Sequence, residues 1–368
     1  MPVRYHFKTL CRNAAERGEQ MQTRLLEAMQ ARATQRALPL FGIERAAQLA
    51  GCTANHIRNL EARDDLPPPR TVESGSIQRR VYDYNDVDRI RRVSGKAASR
   101  PAGVAPARVV FSNLKGGVGK TTHALHFAQY AAREGYRVLL VDIDPQVNAS
   151  TGLGVAAADR DYTSYDLLFS GTSSATAAGT VVPGLSVIPA TPDLSSADVD
   201  MVADPRRLHK MREALRSDHP VVRQQDFVLI DCPPSLNLLT ANALVAADSV
   251  LVPLQCEFFA LEGLSQLMRT VQTIRSGPNP SLKIQGIVLT MYDRRNNLSG
   301  QVAADVRENL GALVYETVIP RNVRLSEAPS HAVPALIYDH TSTGSIAYQK
   351  LAGELLARIG RPAAVATA

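Results

Sequence analysis

The sequence predicts an α/β protein with a doubly wound, mostly parallel sheet, preceded by a small α-rich domain. Three observations predict this fold class. Short apolar runs at residues 109–111, 138–141 and 228–230 have the composition of parallel strands that are buried on both faces. A glycine-rich loop separates the first run from a helical pattern. Residues 1–107 carry 18 Lys and Arg against 11 Asp and Glu, whereas the remainder carries 23 against 24, so the two parts differ in character.

The glycine-rich loop predicts a phosphate-binding site. It follows a strand and opens a helix, so backbone N–H groups and the positive helix end face the same anion. Lys120 is expected to reach the β- and γ-phosphates, and Thr121 to offer its hydroxyl to Mg²⁺. The alternative is a glycine-rich turn with two surface lysines, and the strand–loop–helix context argues against it. The predicted nucleotide-binding residues of the loop are Gly116, Gly117, Val118, Gly119, Lys120, Thr121 and Thr122.

The loop departs from the general P-loop pattern at one position. Leu114 stands where that pattern has its first glycine, and Lys115 follows it. The result is a loop with two lysines, Lys115 and Lys120. A lysine at the start of the loop points away from the cradle of its own nucleotide and can serve that of a neighbour.

Three aspartates follow apolar strands. Asp231 ends the run 228–230, and Asp142 and Asp144 follow the strand predicted at 137–141. Ligands of open α/β sheets bind at the carboxyl ends of the strands, where a carboxylate can hold Mg²⁺ directly or through water. We therefore expect Thr121, Asp142 and Asp231 to contact the metal. The alternative for Asp142 is a cap at the end of its strand.

These motifs resemble those of ParA/Soj-type ATPases, the group with a deviant P-loop that also includes MinD and the nitrogenase iron protein. Further blocks resemble the ParA pattern in order along the chain, at residues 138–146, 227–235, 255–267, 289–293 and 319–330. The resemblance covers about residues 107–360. It implies the fold of a P-loop NTPase, with ATP as the nucleotide and Mg²⁺ as the metal.

The resemblance also implies roles for individual residues. Lys115, Lys120 and Asp144 correspond to the catalytic residues. Asp144 orients the attacking water on a switch loop, and Lys115 crosses a dimer interface to the partner's phosphates. Two further nucleotide contacts, Pro320 and Asn322, fall in the 319–330 block. ATP would thus join two subunits, and hydrolysis would release them.

The basic N-terminal part predicts a winged helix-turn-helix. Residues 43–50 have a compact apolar helix face, Gly51 breaks it, and Thr53 is a good cap for a second helix at 54–62. A basic stretch and the segment 81–91 follow, which resembles the strand and helix of MerR-like winged modules. Such modules precede the ATPase in larger plasmid partition proteins, which bind an operator and repress their own genes.

The second helix and the basic stretch supply candidate DNA contacts. Polar and basic side chains there are able to reach base edges or phosphates. The alternative is a helical hairpin used for dimerisation, and the charge favours DNA. The predicted DNA-binding residues of this domain are Asn55, His56, Arg58, Asn59, Arg79 and Arg80.

The remaining segments complete the predicted organisation. Residues 13–38 are almost free of helix breakers and carry a narrow apolar stripe, which suits either pairing with another subunit or packing on the module. Small residues with interspersed Pro and Gly predict a flexible linker. The predicted parts are the N-terminal helix at 1–38, the winged domain at 39–93, the linker at 94–107, the ATPase domain at 108–361 and a tail at 362–368.

Composition indicates a cytoplasmic protein. No apolar run approaches the roughly 18 residues of a membrane span, and charged residues interrupt the N-terminus where a secretory signal needs apolar ones. The four cysteines have no metal or disulfide spacing. We therefore expect reduced thiols and no membrane partner, and the resemblance to ParA/Soj-type ATPases implies a bacterial protein associated with the nucleoid.

The ATPase domain is itself expected to contact DNA. In the ParA/Soj pattern, basic residues after the 289–293 block and within the 319–330 block contribute to DNA binding that ignores sequence. Here these are Arg295 and Arg324. Phosphate contacts of this kind are sensitive to salt. The alternative for Arg324 is an ion pair with Glu327 or a part in closing the nucleotide pocket.

The predicted function is ATP-dependent DNA partition by a homodimer, stimulated by a ParB-like centromere-binding partner, with autoregulation through the N-terminal domain. A MinD-like membrane role would need an amphipathic basic C-terminal helix, and residues 360–368 are too small and proline-broken for one. A role like that of the nitrogenase iron protein would need a pair of cluster cysteines, which Cys232 and Cys256 do not supply. A ParA-like positioner of another cargo and a nucleotide-sensing repressor remain the alternatives.

Overall fold

The computed structural model describes residues 39–74, 77–156, 159–170, 176–257, 260–328 and 335–360. The predicted N-terminal helix at 13–38 and the predicted tail at 362–368 therefore lie outside the described residues, and their roles stay predictions. The described chain forms a winged module, residues 39–93, and a sheet domain, residues 107–360. No helix of the described part is long and apolar enough to cross a membrane.

The winged module is built from three helices and a two-stranded hairpin. Both predicted helices of its helix-turn-helix begin and end at the predicted residues. Gly51 adopts the left-handed conformation between them (φ 69°), and the Thr53 hydroxyl accepts a hydrogen bond from the His56 N–H at 3.1 Å. The elements are α1 (Ile43–Ala50), α2 (Ala54–Ala62), β1 (Arg70–Ser74), β2 (Ile77–Val81) and α3 (Tyr84–Val93).

The sheet domain contains one seven-stranded sheet. Its strand order is β5-β6-β4-β7-β3-β8-β9, and every pairing is parallel except that of the edge strand β5 with β6. The predicted strands at 109–111, 138–141 and 228–230 all lie in it, with β3 and β7 side by side at the centre. The strands are β3 (Ala107–Phe111), β4 (Val138–Asp142), β5 (Ala178–Gly179), β6 (Leu185–Ile188), β7 (Phe227–Asp231), β8 (Ser249–Gln255) and β9 (Lys283–Thr290).

Helices cover both faces of this sheet. The described ones are α4 (Lys120–Arg133), α5 (Asn148–Gly152), α6 (Ser164–Phe169), α7 (Ala197–Met201), α8 (Lys210–Ala214), α9 (Pro220–Arg223), α10 (Leu238–Ala246), α11 (Ala260–Arg275), α12 (Asn297–Leu310), α13 (Val323–Glu327), α14 (Ala335–Tyr338) and α15 (Thr343–Arg358). Short 3₁₀ turns occupy Pro192–Ser195 and Gly311–Leu313. The predicted doubly wound fold is confirmed.

Two apolar cores flank the sheet because its central strands are buried on both faces. In β4, Leu139 and Val141 pack into one core with helices α10, α11 and α12, whereas Val138 and Leu140 pack into the other with α4 and α15. Alternate residues of a strand point to opposite faces, so an unbroken apolar run is what a two-sided core requires. The sheet thereby fixes its carboxyl edge as a rigid base for the P-loop.

The connection between the two parts is held against the sheet domain. The backbone N–H of Arg100 donates to Asp226 at 2.7 Å, and that of Ala98 donates to the carbonyl of Glu134 at 3.0 Å. A Cβ at Gly135, which has φ 101°, would come within 2.7 Å of the Ala97 backbone, so the segment fits closely there. The structure therefore differs from the flexible linker that composition predicts, since backbone hydrogen bonds rather than side-chain patterning fix this segment.

The winged module packs on the far end of the helix that follows the P-loop. Arg91 of α3 lies 3.9 Å from Glu134, just after α4, and the Arg133 guanidinium sits 5.6 Å from the centre of the Tyr84 ring. Helix α4 thus has the phosphate loop at its first turn and the winged module at its last.

Candidate functional site

The loop between β3 and α4 has the backbone of a phosphate cradle. Gly117 and Gly119 both have left-handed φ angles, 74° and 92°, which non-glycine residues adopt only at a cost. Helix α4 begins at Lys120, directly after Gly119. Its first N–H groups therefore point out of the helix into the loop, where an anion can accept from them.

The two lysines of the loop face different ways. Lys120 is 6% exposed, and its ammonium donates to the carbonyl of Lys115 at 3.2 Å. Burial lowers the pKa of Lys120, while the carboxylates of Asp231 and Asp144 oppose that shift. The ammonium of Lys115 instead lies at the surface, 2.6 Å from the carboxylate of Glu257, with 37% of its side chain exposed. One lysine thus lines the cradle, and the other leaves it.

Asp231 is a buried acceptor at the carboxyl end of β7. Among the described residues, neither of its oxygens has a partner within normal hydrogen-bond distance, and the Thr121 hydroxyl lies close enough to stabilise its charged form. Burial is the main reason that the pKa of Asp231 is raised well above its usual value, and the nearby Asp142 adds to the shift, whereas Thr121 and Lys120 act in the opposite direction. Buried carboxylates in proteins are usually paired with a cation or bind a metal ion, so Asp231 is a candidate metal ligand.

Asp142 is hydrogen-bonded within its own segment. One of its oxygens accepts from the Asp144 N–H at 3.1 Å, and the other accepts from the N–H and the hydroxyl of Ser150 at 2.9 and 2.7 Å. Burial raises the pKa of Asp142 to about 6 despite these bonds. Asp142 therefore anchors the segment after β4, as its alternative reading expects, while a carboxylate with three bonds keeps one acceptor site and its contact to the metal stays a prediction.

Asp144 lies in that anchored segment, beside the P-loop. It is 6% exposed, and its carboxylate accepts from the Gln146 N–H at 3.0 Å, which fixes a turn after the strand. Among the described residues, no group of three or more His, Cys, Asp or Glu side chains forms a metal cage. A metal here would therefore be held by one or two protein ligands together with phosphate and water, as Mg²⁺ commonly is.

Two supports of the loop were missed by sequence reasoning. The Asn113 amide donates to the Pro253 carbonyl at 2.6 Å and accepts from the Lys115 N–H at 3.1 Å, which ties the start of the loop to β8. The Thr290 hydroxyl, from the end of β9, donates to the carbonyl of Val118 at 3.1 Å. Only the polar character of Asn113 right after an apolar strand was a signal, because the other contact spans 172 positions.

The predicted contacts of the 319–330 block lie near the same edge of the sheet. Pro320 pairs with Tyr292, just beyond the end of β9. Asn322 caps α13 by accepting from the Arg324 N–H at 2.8 Å, and its amide donates to Thr343 at 2.8 Å. The nucleotide-binding role of both residues stays a prediction. In this structure the Asn322 side chain serves as the N-cap of α13.

Both arginines predicted to bind DNA from the sheet domain are exposed and paired. Arg295 makes a two-pronged pair with Asp293, at 3.0 and 2.9 Å, with 89% of its side chain exposed. Arg324 lies 2.9 Å from Glu327 and 3.6 Å from Asp339. The alternative ion pair for Arg324 is therefore present. Exposed pairs of this kind are weak, so both guanidinium groups stay accessible to phosphate.

The winged module presents only part of its predicted DNA surface. Asn55, Arg58 and Asn59 of α2 are exposed, as is Arg79 of β2. His56 is half-buried and turns inward, with its Nε2 3.0 Å from the Ser94 hydroxyl. Arg80 is exposed but pairs at 2.5 Å with Glu61, which also accepts from the hydroxyl of Tyr82. His56 therefore contributes to the packing of the module. Arg80 braces the hairpin against α2, but with 49% of its side chain exposed its guanidinium stays accessible to phosphate, as those of Arg295 and Arg324 do. The DNA contacts of both residues stay predictions.

Comparison with known proteins agrees with this division into two parts. Residues 107–284 match the protein family described as an AAA domain, and residues 41–95 match the MerR HTH family of regulatory proteins. The second match spans the helix-turn-helix and the hairpin together.

Curated relatives match the sheet domain over nearly their whole length. The chromosome partitioning protein ParA of Caulobacter vibrioides is 55% identical over 258 residues, which are 69% of this chain and 95% of that protein. The sporulation initiation inhibitor protein Soj of Bacillus subtilis is 48% identical over 250 residues, 68% of this chain and 98% of Soj. The chromosome-partitioning ATPase Soj of Thermus thermophilus is 48% identical over 254 residues, with 68% and 96% covered.

Solved structures share the same fold. Cobyrinic acid a,c-diamide synthase from Mycobacterium smegmatis, with a bound ATP analogue and magnesium, has 33% identity and a TM-score of 0.60, covering 71% of this chain and 99% of that one. The cell division ATPase MinD of Pyrococcus furiosus has 29% identity and a TM-score of 0.55, with 68% and 98% covered.

Proposed function

Because the chain belongs to the ParA/Soj family of chromosome-partitioning ATPases, we propose that it partitions DNA as an ATP-dependent homodimer bound to the nucleoid. It is an ATPase that uses ATP and Mg²⁺. A ParB-like protein on a centromere would stimulate hydrolysis, and the winged module would bind an operator and repress the chain's own genes.

The residues of the site fit ATP and Mg²⁺. The glycines of the loop leave backbone N–H groups open to phosphate oxygens, and Lys120 supplies a buried positive charge beside them. Thr121 and the unpartnered carboxylate of Asp231 would hold Mg²⁺, which neutralises phosphate charge when it is bound. Asp144 would orient a water molecule by accepting a hydrogen bond from its O–H group.

The placement of Lys115 is the observation that carries the dimer proposal. Its side chain leaves the cradle and lies at the surface in a pair with Glu257, whose other oxygen accepts from the Gln255 amide at 2.5 Å. A cation that faces outward beside a phosphate site can serve a second subunit's nucleotide. In the single chain, the ammonium of Lys115 is paired with Glu257. We expect this pair to break in the dimer, when Lys115 reaches the nucleotide of the second subunit.

Neutralising Glu257 is therefore expected to favour the dimer. In Glu257→Gln, Lys115 loses its ionic partner in both subunits, and the ATP-dependent dimer should form at a protein concentration up to about 30-fold lower, since each of the two exposed ion pairs contributes at most about 1 kcal/mol. Sedimentation of the chain with ATP measures this shift. Glu262→Gln, an exposed glutamate in the first turn of α11, is the control and should behave as wild type. Weaker dimerisation of Glu257→Gln would contradict the proposal that the Lys115–Glu257 pair opposes dimerisation.

The sheet domain's own DNA binding is tested by charge reversal. The double variant Arg295→Glu and Arg324→Glu should lose binding to DNA of random sequence while keeping ATP hydrolysis, because phosphate contacts are made by exposed cations. Binding is measured by fluorescence anisotropy with ATP present. Arg216→Glu is a matched control, since Arg216 makes the same two-pronged pair, with Asp218 at 3.1 and 2.9 Å.

The outcomes of this test are distinct. Arg216 lies near the starts of β3 and β8, at the edge of the sheet opposite the P-loop, so its reversal should leave DNA binding intact. If the double variant loses hydrolysis as well, the two arginines serve the nucleotide site or the fold rather than DNA. If the double variant binds DNA as well as the wild-type chain and Arg216→Glu do, the proposed surface is wrong.

One observation favours a second candidate function, a nucleotide-sensing repressor. The winged module packs on the end of α4, the helix that begins at the phosphate loop, through Arg91, Arg133 and Glu134. Nucleotide binding at one end of this helix could therefore change operator binding at the other. Partition and sensing differ in one observable: only a partition ATPase needs ATP-dependent binding to DNA of any sequence.

A further inference from the structure

A buried aromatic cluster lies directly behind the P-loop. His123 and His126 of α4 enclose the ring of Tyr348, which comes from α15 near the end of the chain. The Tyr348 ring stacks on His126, with 4.2 Å between centroids, and meets His123 edge-on at 4.9 Å. All three side chains are at most 3% exposed. Polar rings are seldom buried so completely without a structural task.

His123 holds one peptide of the P-loop. Its Nδ1 lies 2.7 Å from the carbonyl oxygen of Gly119, and the same oxygen accepts from the His123 backbone N–H at 2.9 Å. A carbonyl only accepts, so the ring proton lies on Nδ1. Burial lowers the pKa of His123 to about 3, which keeps the ring neutral with this single N–H. The Tyr348 oxygen, 3.1 Å from Nδ1, braces the ring from the other helix.

Pinning the Gly119 carbonyl also orients the N–H of Lys120. The peptide between these residues is planar and trans, so its C=O and its N–H point in opposite directions. With the carbonyl fixed along α4, the N–H is fixed out of the helix and into the cradle, where phosphate is expected. At the start of the helix this carbonyl accepts both from the His123 backbone N–H and from the His123 ring, so the ring adds a second, shorter contact that holds the same peptide.

We propose that His123, braced by Tyr348, is a positioning residue that preorganises the Gly119–Lys120 peptide for nucleotide phosphate. The C-terminal helix α15 thereby becomes part of the nucleotide site without touching the nucleotide. This inference rests on the proposed function only in that the loop must bind nucleotide. It needs neither the dimer nor DNA.

His126 provides a control of the same chemistry. It is as buried as His123 and also stacks on Tyr348, and its Nδ1 lies 2.6 Å from the carbonyl of Thr122. The peptide that follows Thr122 has its N–H inside the helix, since the His123 N–H donates to Gly119. Losing the His126 contact should therefore weaken packing without disturbing the cradle.

The experiment compares substitutions that keep or remove a donor at the position of Nδ1. Asparagine carries its amide nitrogen on Cγ, as histidine carries Nδ1, whereas leucine places a methyl group there and glutamine extends its amide further. The variants are His123→Asn, His123→Gln, His123→Leu, Tyr348→Phe and His126→Leu. Affinity for a fluorescent ADP analogue and for ATP with Mg²⁺ is titrated on the full chain, and the thermal midpoint is recorded for each variant.

We expect His123→Leu and His123→Gln to bind nucleotide about tenfold more weakly, and His123→Asn to stay within about threefold of wild type, because one lost hydrogen bond corresponds to roughly this range. Tyr348→Phe should fall between them, and His126→Leu should keep its affinity even where its thermal midpoint drops. If His123→Leu does not fold, the Asn and Gln pair carries the same comparison.

Equal affinity in the Asn and Gln variants, or an equal loss in the His123→Leu and His126→Leu variants, would overturn the inference and leave a purely structural cluster. Absence of nucleotide binding in the wild-type chain would instead contradict the proposed function. The two failures are therefore distinguishable.

Discussion

Replacing Lys120 with alanine should abolish ATP binding at ordinary nucleotide concentrations. The ammonium is buried at the glycine loop, close enough to Asp231 for the two charges to interact. Its loss removes a charge-assisted contact to phosphate and leaves Asp231 less compensated, which together cost about 2–4 kcal/mol, or about 30- to 1000-fold in affinity. Isothermal titration with ATP and Mg²⁺ measures this loss.

The comparison with Lys115→Ala makes the result specific. Lys115 has left the cradle for Glu257, so its alanine variant should bind ATP within a few-fold of wild type and fail to dimerise. If the two variants lose ATP binding to the same degree, the two lysines share one cradle and the division between them is wrong. If Lys120→Ala binds ATP normally, the loop does not hold the phosphates.

Replacing Asp144 with alanine should leave a dimer locked by ATP. General-base or water-orienting side chains contribute about 10²- to 10⁴-fold to rate, so hydrolysis should fall by about that factor while ATP binding is retained. Phosphate release and the persistence of the dimer on gel filtration measure the two effects. Within the described part of the chain, the Asp144 carboxylate accepts from the Gln146 N–H and from no residue of the glycine loop, so its loss should leave the loop in place.

A second substitution separates the charge of Asp144 from its turn. Asparagine retains the oxygen that accepts from the Gln146 N–H, so Asp144→Asn keeps the turn and loses only the carboxylate. It should lose hydrolysis as fully as Asp144→Ala does. A normal hydrolysis rate in both variants would contradict any catalytic role of Asp144. A normal rate in Asp144→Asn together with a slow rate in Asp144→Ala would show that the turn matters and that the negative charge does not.

Much of this architecture could be predicted from the sequence because it rests on local patterns. The start of the helix at 54–62 could be predicted from Thr53, because threonine is a favourable N-cap residue whose hydroxyl accepts from the first turn of a helix. The strand at 227–231 follows from an unbroken apolar run, since both of its faces are buried. The P-loop could also be predicted from local sequence, because Gly117 and Gly119 adopt left-handed conformations that few other residues adopt.

Other features depend on contacts that join distant parts of the chain. Asp142 and Asp231 look alike in sequence, each at the end of an apolar strand. Hydrogen bonds from Ser150 and from the Asp144 N–H distinguish them, because they bind the carboxylate of Asp142. Lys115 pairs with a glutamate 142 positions away. The hold of His123 on Gly119 is local, but its significance depends on Tyr348, 225 positions further on. Periodicity and spacing carry no information about such pairs.

The connecting segment shows the same limit. Residues 94–106 are small and interrupted by Pro and Gly, which predicts a flexible linker, yet Arg100 and Ala98 bind the sheet domain through their backbone N–H groups. Backbone donors are present in every residue except proline and leave no trace in composition. His56 is a comparable case, because Ser94 at the end of α3 turns it inward.

Binding to duplex DNA of random sequence, with ATP or with ADP across a salt series, tests the central claim most directly. It should be measured for the wild-type chain and for a variant with Arg58→Glu and Arg79→Glu, which disables the exposed face of the winged module. We expect both proteins to bind only with ATP, with an affinity that falls steeply as salt rises. Binding that ignores the nucleotide and disappears in the variant would contradict the account, and the protein would then be chiefly a regulator that carries an ATPase.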